Sequence, residues 1–326
     1  MGINALGSVV HGDMNGVQIT GLANLAGGTM RGVQLAGISN ISGDNTVELS
    51  AAGLVNITGD RTQGVIISGL TSIGGDNTSG LMISGFMNVT GNMASGLHFS
   101  GAANITGQSF GGLMASGLLN VVGEHMNGLQ IAGIANITAS KLNGVQIALC
   151  NYATQARGLQ IGLVNYYKED MKGFQLGLVN ANPDTRVQMM VYGGNATPAN
   201  IGVRFKNQLF YTILGVGSMY QGLNDKFSAS ASYRAGLSFP LYKGLSISGD
   251  LGYQHIEAFD NKDEVIPKRL YALQARANLE YQFTRKFGIF ATGGYGLTRF
   301  YNKSSNYDKG AIIEAGIAVS YTHLRA

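Results

Sequence analysis

Cysteine is almost absent from this chain. Cys150 stands alone, so no intrachain disulfide and no cysteine-based zinc site can form, and the residue reads as a small core side chain. Proline is scarce as well, 4 in 326 residues, and with no Gly-X-Y period this excludes collagen. Charged residues make up only 12% against 45% hydrophobic, which excludes a charge-swollen disordered chain. Every apolar run is broken by Gly, Ser or Asn before it reaches the roughly 18 to 20 residues of a membrane-spanning helix. A membrane role therefore requires a β-barrel. The residue present in excess is glycine, with 49 copies, about twice the usual share.

The charge is unevenly divided. Residues 1–185 hold 6 Lys/Arg and 9 Asp/Glu, a net of −3, whereas residues 186–326 hold 16 and 9, a net of +7. The basic half could attract nucleic acid, but its cations are scattered and carry no binding motif. No nucleic-acid partner is expected.

Residues 1–185 are a repeat of period 16. Gly16, Gly32, Gly64, Gly80, Gly96, Gly112, Gly128 and Gly144 form one column, broken only by Glu48. A second begins at Gly21 and runs to Gly133, and a third runs from Gly27 to Gly123. Aliphatic columns lie between them, such as Leu25, Ile41, Ile57, Ile73, Val89 and Ile105. An asparagine column precedes that series: Asn24, Asn40, Asn56, Asn88, Asn104, Asn120 and Asn136, with Ser72 in the remaining place.

Segments of about five residues between glycines are too short for a βαβ unit. They fit a three-cornered parallel β-solenoid in which like residues stack at the roughly 4.8 Å strand spacing. The asparagines would then form an amide ladder from coil to coil. This also accounts for the repeated Asn-x-Ser/Thr triplets, which otherwise match glycosylation acceptors. A series of antiparallel hairpins is the rival reading, but it gives no reason for constant spacing.

Toward the end the spacing tightens and the motif becomes Gly158-Leu159-Gln160-Ile161-Gly162-Leu163-Val164-Asn165, repeated at Gly173-Phe174-Gln175-Leu176-Gly177-Leu178-Val179-Asn180. Here the chain resembles bacterial surface-repeat proteins built from Gly-Leu-Gln-Ile-Gly-Leu-Val-Asn units, over residues 14–182. The resemblance implies a cell-envelope protein and supplies no catalytic residues.

Beyond Asn182-Pro183-Asp184 the period gives way to strict alternation, clearest from Leu273 to Phe283. Eight strands are expected, at about 186–194, 199–207, 208–220, 226–239, 243–258, 269–283, 287–301 and 309–321, the number in a small outer-membrane barrel. Tight connections alternate with the longer polar segments 221–225, 259–268 and 302–308. Aromatics recur near strand ends, among them Phe205, Tyr253, Tyr281, Phe283, Phe287, Phe300 and Tyr301. If the polar face lines the lumen, Arg204, Lys206, Arg234 and Arg276 with Asp250, Glu280 and Glu314 give nearly balanced charges that could pair inside a filled barrel. This half resembles small outer-membrane β-barrel domains, and lipid is the partner that resemblance implies. A soluble barrel with the apolar face inward is the alternative.

The expected organisation is all-β: a solenoid over 1–185 and an antiparallel barrel over 186–321. Residues 322–326 resemble a translated sequencing-adapter tail. No signal peptide is visible in residues 1–15, and an exported protein would carry one upstream. The outer membrane of a Gram-negative cell is the expected location. Entry into the first strand from the short-turn side places the solenoid in the periplasm, whereas the family resemblance implies the cell surface.

Candidate chemistry is thin. Asp44, Asp60 and Asp76 follow the third glycine column and, stacked about 5 Å apart, could hold a cation or act as paired carboxylates on a polysaccharide. Gly-Asp is equally a turn pair. His11, His98, His125, His255 and His323 lack ligand spacing, and no cofactor site is discernible. Tyr152 and Tyr166 fall in an aliphatic column and should pack the coil, leaving Tyr167 to stack on a sugar ring. The expected role is a non-enzymatic envelope protein whose solenoid contacts a glycan or an envelope or host protein. A carbohydrate-active β-helix enzyme and a soluble glycan-binding module are the alternatives.

Overall fold

The computed structural model describes residues 2–218, 227–259, 269–301 and 306–321. The expected segment 221–225 with the adjoining strand residues 219–220 and 226, residues 260–268 of the connection 259–268, residues 302–305 of the last connection, and the tail 322–326 with His323 lie outside the described residues. The described residues form strands and connections with no helix. Two compact units divide the chain, Met1–Gly177 and Leu178–Ala326, so the division falls shortly before the expected residue 185.

The first unit belongs to a parallel β-solenoid of about 11 turns. Each regular coil contributes one long and one short strand, for example Asn77–Ser84 and Met87–Thr90. Asn77 pairs with Met93 and Asn88 with Asn104, an offset of one full period. Two of the three corners separate strands. The third is a kink inside the long strand, at the first glycine column.

Two different constraints make glycine necessary. Gly96 has φ +108°, and a Cβ there would lie 2.1 Å from the carbonyl oxygen of Gly80. Gly101 has no such φ, but its Cβ would lie 2.0 Å from the Gly85 carbonyl. The first column therefore bends the backbone and the others let coils approach. Glu48 occupies the first column with φ +89°, a conformation costly for a side-chain-bearing residue. Glu48→Gly should stabilise the solenoid by about 1 kcal/mol, read as a higher denaturant midpoint.

The last coils dispense with one corner. The strands Ala135–Ile147 and Cys150–Ile161 run through where the third glycine column ends, with register shifts at Thr138/Lys141 and Ala153/Gln155. One residue fewer between Ile147 and Cys150, at the second corner, and one fewer between Ala153 and Gln155, at the third, shorten the spacing from Gly144 to Gly158 to 14 residues.

The second unit contains a closed antiparallel barrel of eight strands: Arg186–Gly194, Ala199–Asn207, Phe210–Ser218, Ser228–Tyr242, Leu245–Ala258, Arg269–Gln282, Phe287–Phe300 and Asn306–Tyr321. The first and last strands pair, Val187 with Tyr321 through Gly194 with Glu314, which removes free edges. Tight turns use left-handed residues, Gln208 at φ 49° and Gly244 at φ 85°. Aromatics gather toward both barrel ends. Tyr281, Phe283 and Phe287 contact one another near the turn at 283–286, while Tyr253, Tyr271 and Tyr301 group at the opposite end.

Candidate functional site

The solenoid interior is largely polar. Strand alternation directs the asparagine column inward and the following aliphatic column outward. Asn24, Asn40, Asn56, Asn88, Asn104, Asn120 and Asn136 are all buried. Asn88 Nδ2 donates to Asn104 Oδ1 at 2.8 Å, and Asn104 donates to Asn120 at 2.9 Å. Each amide also donates to a backbone carbonyl, as Asn104 does to Ala115 O at 2.8 Å. Where Ser72 interrupts the row, serine hydroxyls take over. Asn56 donates to Ser68, which contacts Ser72, and Ser84 bridges Ser72 to Asn88.

A second amide row escaped the sequence reading. Gln34 donates to Gln18 at 3.0 Å, and Gln146, Gln160 and Gln175 each donate to the glutamine one coil earlier at 2.8 Å. The asparagines donate toward the C-terminal coils and the glutamines toward the N-terminal ones. The period was visible in Gln18, Gln34, Gln130 and Gln146, but Ser50, Ile66, Met82, His98 and Met114 interrupt that column. An apolar cluster fills the interior there, including Ala94, Phe110, Met114, Met126 and Leu142.

His98 lies in this cluster with its ring edge-on to Phe110, centroids 4.9 Å apart. Burial disfavours its charged form and lowers its pKa to about 4. The unfolded chain takes up the proton near pH 6.5, whereas the folded one does so only near the depressed value. Stability is therefore full above pH 6.5 and falls as the pH drops toward 4. About 3 kcal/mol is lost over that window. Replacing His98 by Met, the residue one coil away on either side, should abolish this difference between pH 7 and pH 4.5 unfolding midpoints.

Three expectations are corrected. Cys150 is exposed, not a core residue, because it occupies an outward position beside the inward Asn151. Tyr152 and Tyr166 do not fill the coil: they face outward and stack on each other, with centroids 5.8 Å apart and planes at 8°. Tyr167, one residue on, points the other way and is buried at 4% exposure, so it presents no face to a sugar.

Asp44 and Asp76 are exposed and Asp60 half-buried at the solenoid corner. Their backbones stack, Asp60 N donating to Asp44 O and Asp76 N to Asp60 O, each at 2.7 Å. The Asp76 carboxylate accepts from Asn92 Nδ2 at 2.9 Å. Among the described residues no group of three or more His, Cys, Asp or Glu side chains is placed to hold a metal ion.

In the barrel, inward positions carry the charges. Arg204 Nη2 contacts both carboxylate oxygens of Glu280, at 2.7 and 2.8 Å, and its Nε donates to Gln188 at 2.6 Å. Arg234 grips Asp250 through Nε at 2.7 Å and Nη2 at 2.8 Å. Arg276 Nη2 donates to Glu314 at 3.2 Å. All six side chains are buried. Tyr211 and Asn278, which the sequence analysis did not single out, also donate to Asp250, at 2.7 and 2.8 Å. The lumen is not wholly polar: Met190, Tyr192, Tyr211, Ile213 and Phe290 form an apolar cluster inside it.

Outward positions are apolar. Leu251 is 72% exposed, Ile313 68% and Val216 60%.

No family model matches the chain, and no curated protein does. Among solved structures, the chain is similar to the N-terminal β-barrel domain of OprF from Pseudomonas aeruginosa, at 15% identity and TM-score 0.31, covering 43% of this chain and 98% of that one. It is also similar to the outer membrane protein Ail of Yersinia pestis, at 15% identity and TM-score 0.29, covering 42% and 100%. Neisserial surface protein A is a further neighbour, at 9% identity and TM-score 0.31, covering 42% and 96%.

Proposed function

We propose that this chain is an outer-membrane protein of a Gram-negative envelope, in which the barrel is a lipid-embedded anchor and the solenoid a rigid contact surface. One observation carries the reading: the barrel buries its ion pairs and exposes its aliphatic side chains. In water that arrangement wastes apolar area and confines charge, whereas in a bilayer it gives hydrocarbon an apolar band, and pairing of the first and last strands closes the edges. The paired, filled lumen supports anchoring over conduction.

The solenoid's role is contact rather than catalysis. The side between the third corner and the kink carries a shallow groove where Arg61, Gln63, Asn77 and Ser79 stand beside Met93 and Phe110, a mixed polar and apolar surface suited to another envelope component. Such a partner would be a glycan or a protein.

The anchor is tested by fractionation and by gel migration. The chain should be recovered with the outer membrane and migrate differently before and after boiling in detergent. Recovery in the soluble fraction with no heat shift would end the proposal. Protease treatment of intact cells then gives the side: cleavage of the solenoid without lysis means the cell surface, and protection means the periplasm.

A further inference from the structure

The solenoid repeats the barrel's inversion of polarity. Between the kink glycine and the third corner each coil has a stretch of about ten residues, such as 17–26, 49–58, 81–90, 113–122 and 129–138. No such stretch up to Gly177 contains Asp, Glu, Lys or Arg. The one histidine among them, His98, points inward and is 1% exposed. Every charged residue of the unit lies in the remaining short stretch: Asp13, Arg31, Asp44, Glu48, Asp60, Arg61, Asp76, Glu124, Lys141, Arg157, Lys168, Glu169, Asp170 and Lys172. Two of the three solenoid sides are thus free of charge along the whole unit.

These sides are also greasy. The ridge between them carries Leu22, Ile38, Leu54, Leu70, Phe86, Leu118, Ile134, Leu149 and Leu163, with Phe86 at 54% and Ile134 at 51% exposure. At about 4.8 Å per coil the uncharged sides extend for about 50 Å, and with a width of about 15 Å each they offer on the order of 1,500 Å². That is several times the few hundred Å² of a typical largest apolar patch on a soluble monomer.

We propose that the solenoid lies in the plane of a bilayer surface, with its two uncharged sides in lipid hydrocarbon and its charged side in water. The occupant follows from shape. The apolar surface is convex, two sides meeting at a leucine-rich ridge. A second copy docking flat would cover one side and leave the other wet. A fluid wraps both, and the interior needs neither, since most of its amides bond from coil to coil. Chemistry at the borders agrees. The stacked Tyr152 and Tyr166 pair sits on one uncharged side next to the charged stretch, and Phe174, 70% exposed, borders the other, the interfacial position that aromatic rings favour.

This goes beyond the barrel anchor and is tested separately from it. The full chain is reconstituted in phosphatidylcholine–phosphatidylglycerol vesicles with a fluorophore on Cys150, which is exposed on an uncharged side. In a Cys150→Ser background, Gln63→Cys places the probe on the charged side and Leu251→Cys places it on the barrel exterior. Brominated acyl chains should quench the Cys150 probe at least 5-fold more than the Gln63→Cys probe, with iodide in water giving the reverse order. Equal iodide access for both solenoid probes overturns the proposal. So does protection of the Cys150 probe from both quenchers together with cross-linking between chains, which would mean that a second copy covers that side. The Leu251→Cys probe reports on the anchor alone: lipid quenching there with an iodide-accessible Cys150 refutes only the solenoid proposal, and iodide access there refutes the barrel reading.

Discussion

Arg234→Met should destabilise the barrel by about 3–5 kcal/mol, because it leaves the Asp250 carboxylate buried without its cation. The pair is almost fully enclosed, with side-chain exposures of 1% and 0%. Tyr211 and Asn278 would still donate to the stranded carboxylate, but neutral donors replace only part of what a bidentate guanidinium provides. The measurement is the urea midpoint of the refolded full chain in detergent, followed by loss of the heat-dependent gel shift. Adding Asp250→Leu should restore part of the loss. Removing both charges abolishes the stranded ion, though the Tyr211 hydroxyl and the Asn278 amide then lose an acceptor. A double variant no more stable than Arg234→Met would contradict this account.

Asn104→Leu should cost about 3 kcal/mol or more, since three polar groups lose partners in a dry interior at once. Asn88 Nδ2 loses its 2.8 Å acceptor, Asn120 Oδ1 loses a donor, and the Ala115 carbonyl is no longer capped by the amide. Leucine shares asparagine's branching but is bulkier, so overpacking at this fully buried position adds to the loss of partners. The same change made at Asn92, half-buried at the solenoid corner, should change stability by less than about 0.5 kcal/mol. Hydrogen exchange should show the Asn104 defect centred on the adjoining coils, because each coil meets only its neighbours. An Asn104→Leu chain as stable as its parent would mean that the amide row is ornamental.

The architecture was legible because both units obey short rules. A constant offset forces equivalent residues into register, so Gly80 pairing with Gly96 follows from counting. Strict alternation fixes which barrel residues share a face, and the ends of the strand Arg269–Gln282 fall within a residue of the expected ones. Orientation in the solenoid was harder to read. Hydrophobic columns such as Leu25 and Ile41 suggest a core, yet the corner glycines turn the neighbouring asparagines inward and leave Leu25 39% exposed. Cys150 and Tyr152 were misplaced for the same reason.

Partners were illegible for a different reason. Alternation puts Arg204 and Glu280 on inward faces, but they are 76 residues apart and meet only through barrel closure. Tyr211 was missed because the strand Phe210–Ser218 turns Tyr211 and Ile213 inward, so its pattern of polarity does not mark the lumen side.

The opposite senses of the two amide rows bear on the field of the solenoid. A one-way chain of amides sums head to tail, as peptide groups do in a helix. The asparagine row alone would leave partial charges of opposite sign at its two extremities. The glutamine row runs beside it in reverse near both extremities, at Gln18 and Gln34 and again from Gln130 to Gln175, and cancels much of that polarisation. Where both rows run, coils can be added at either end with little growth of a longitudinal dipole that would have to be neutralised at the tips.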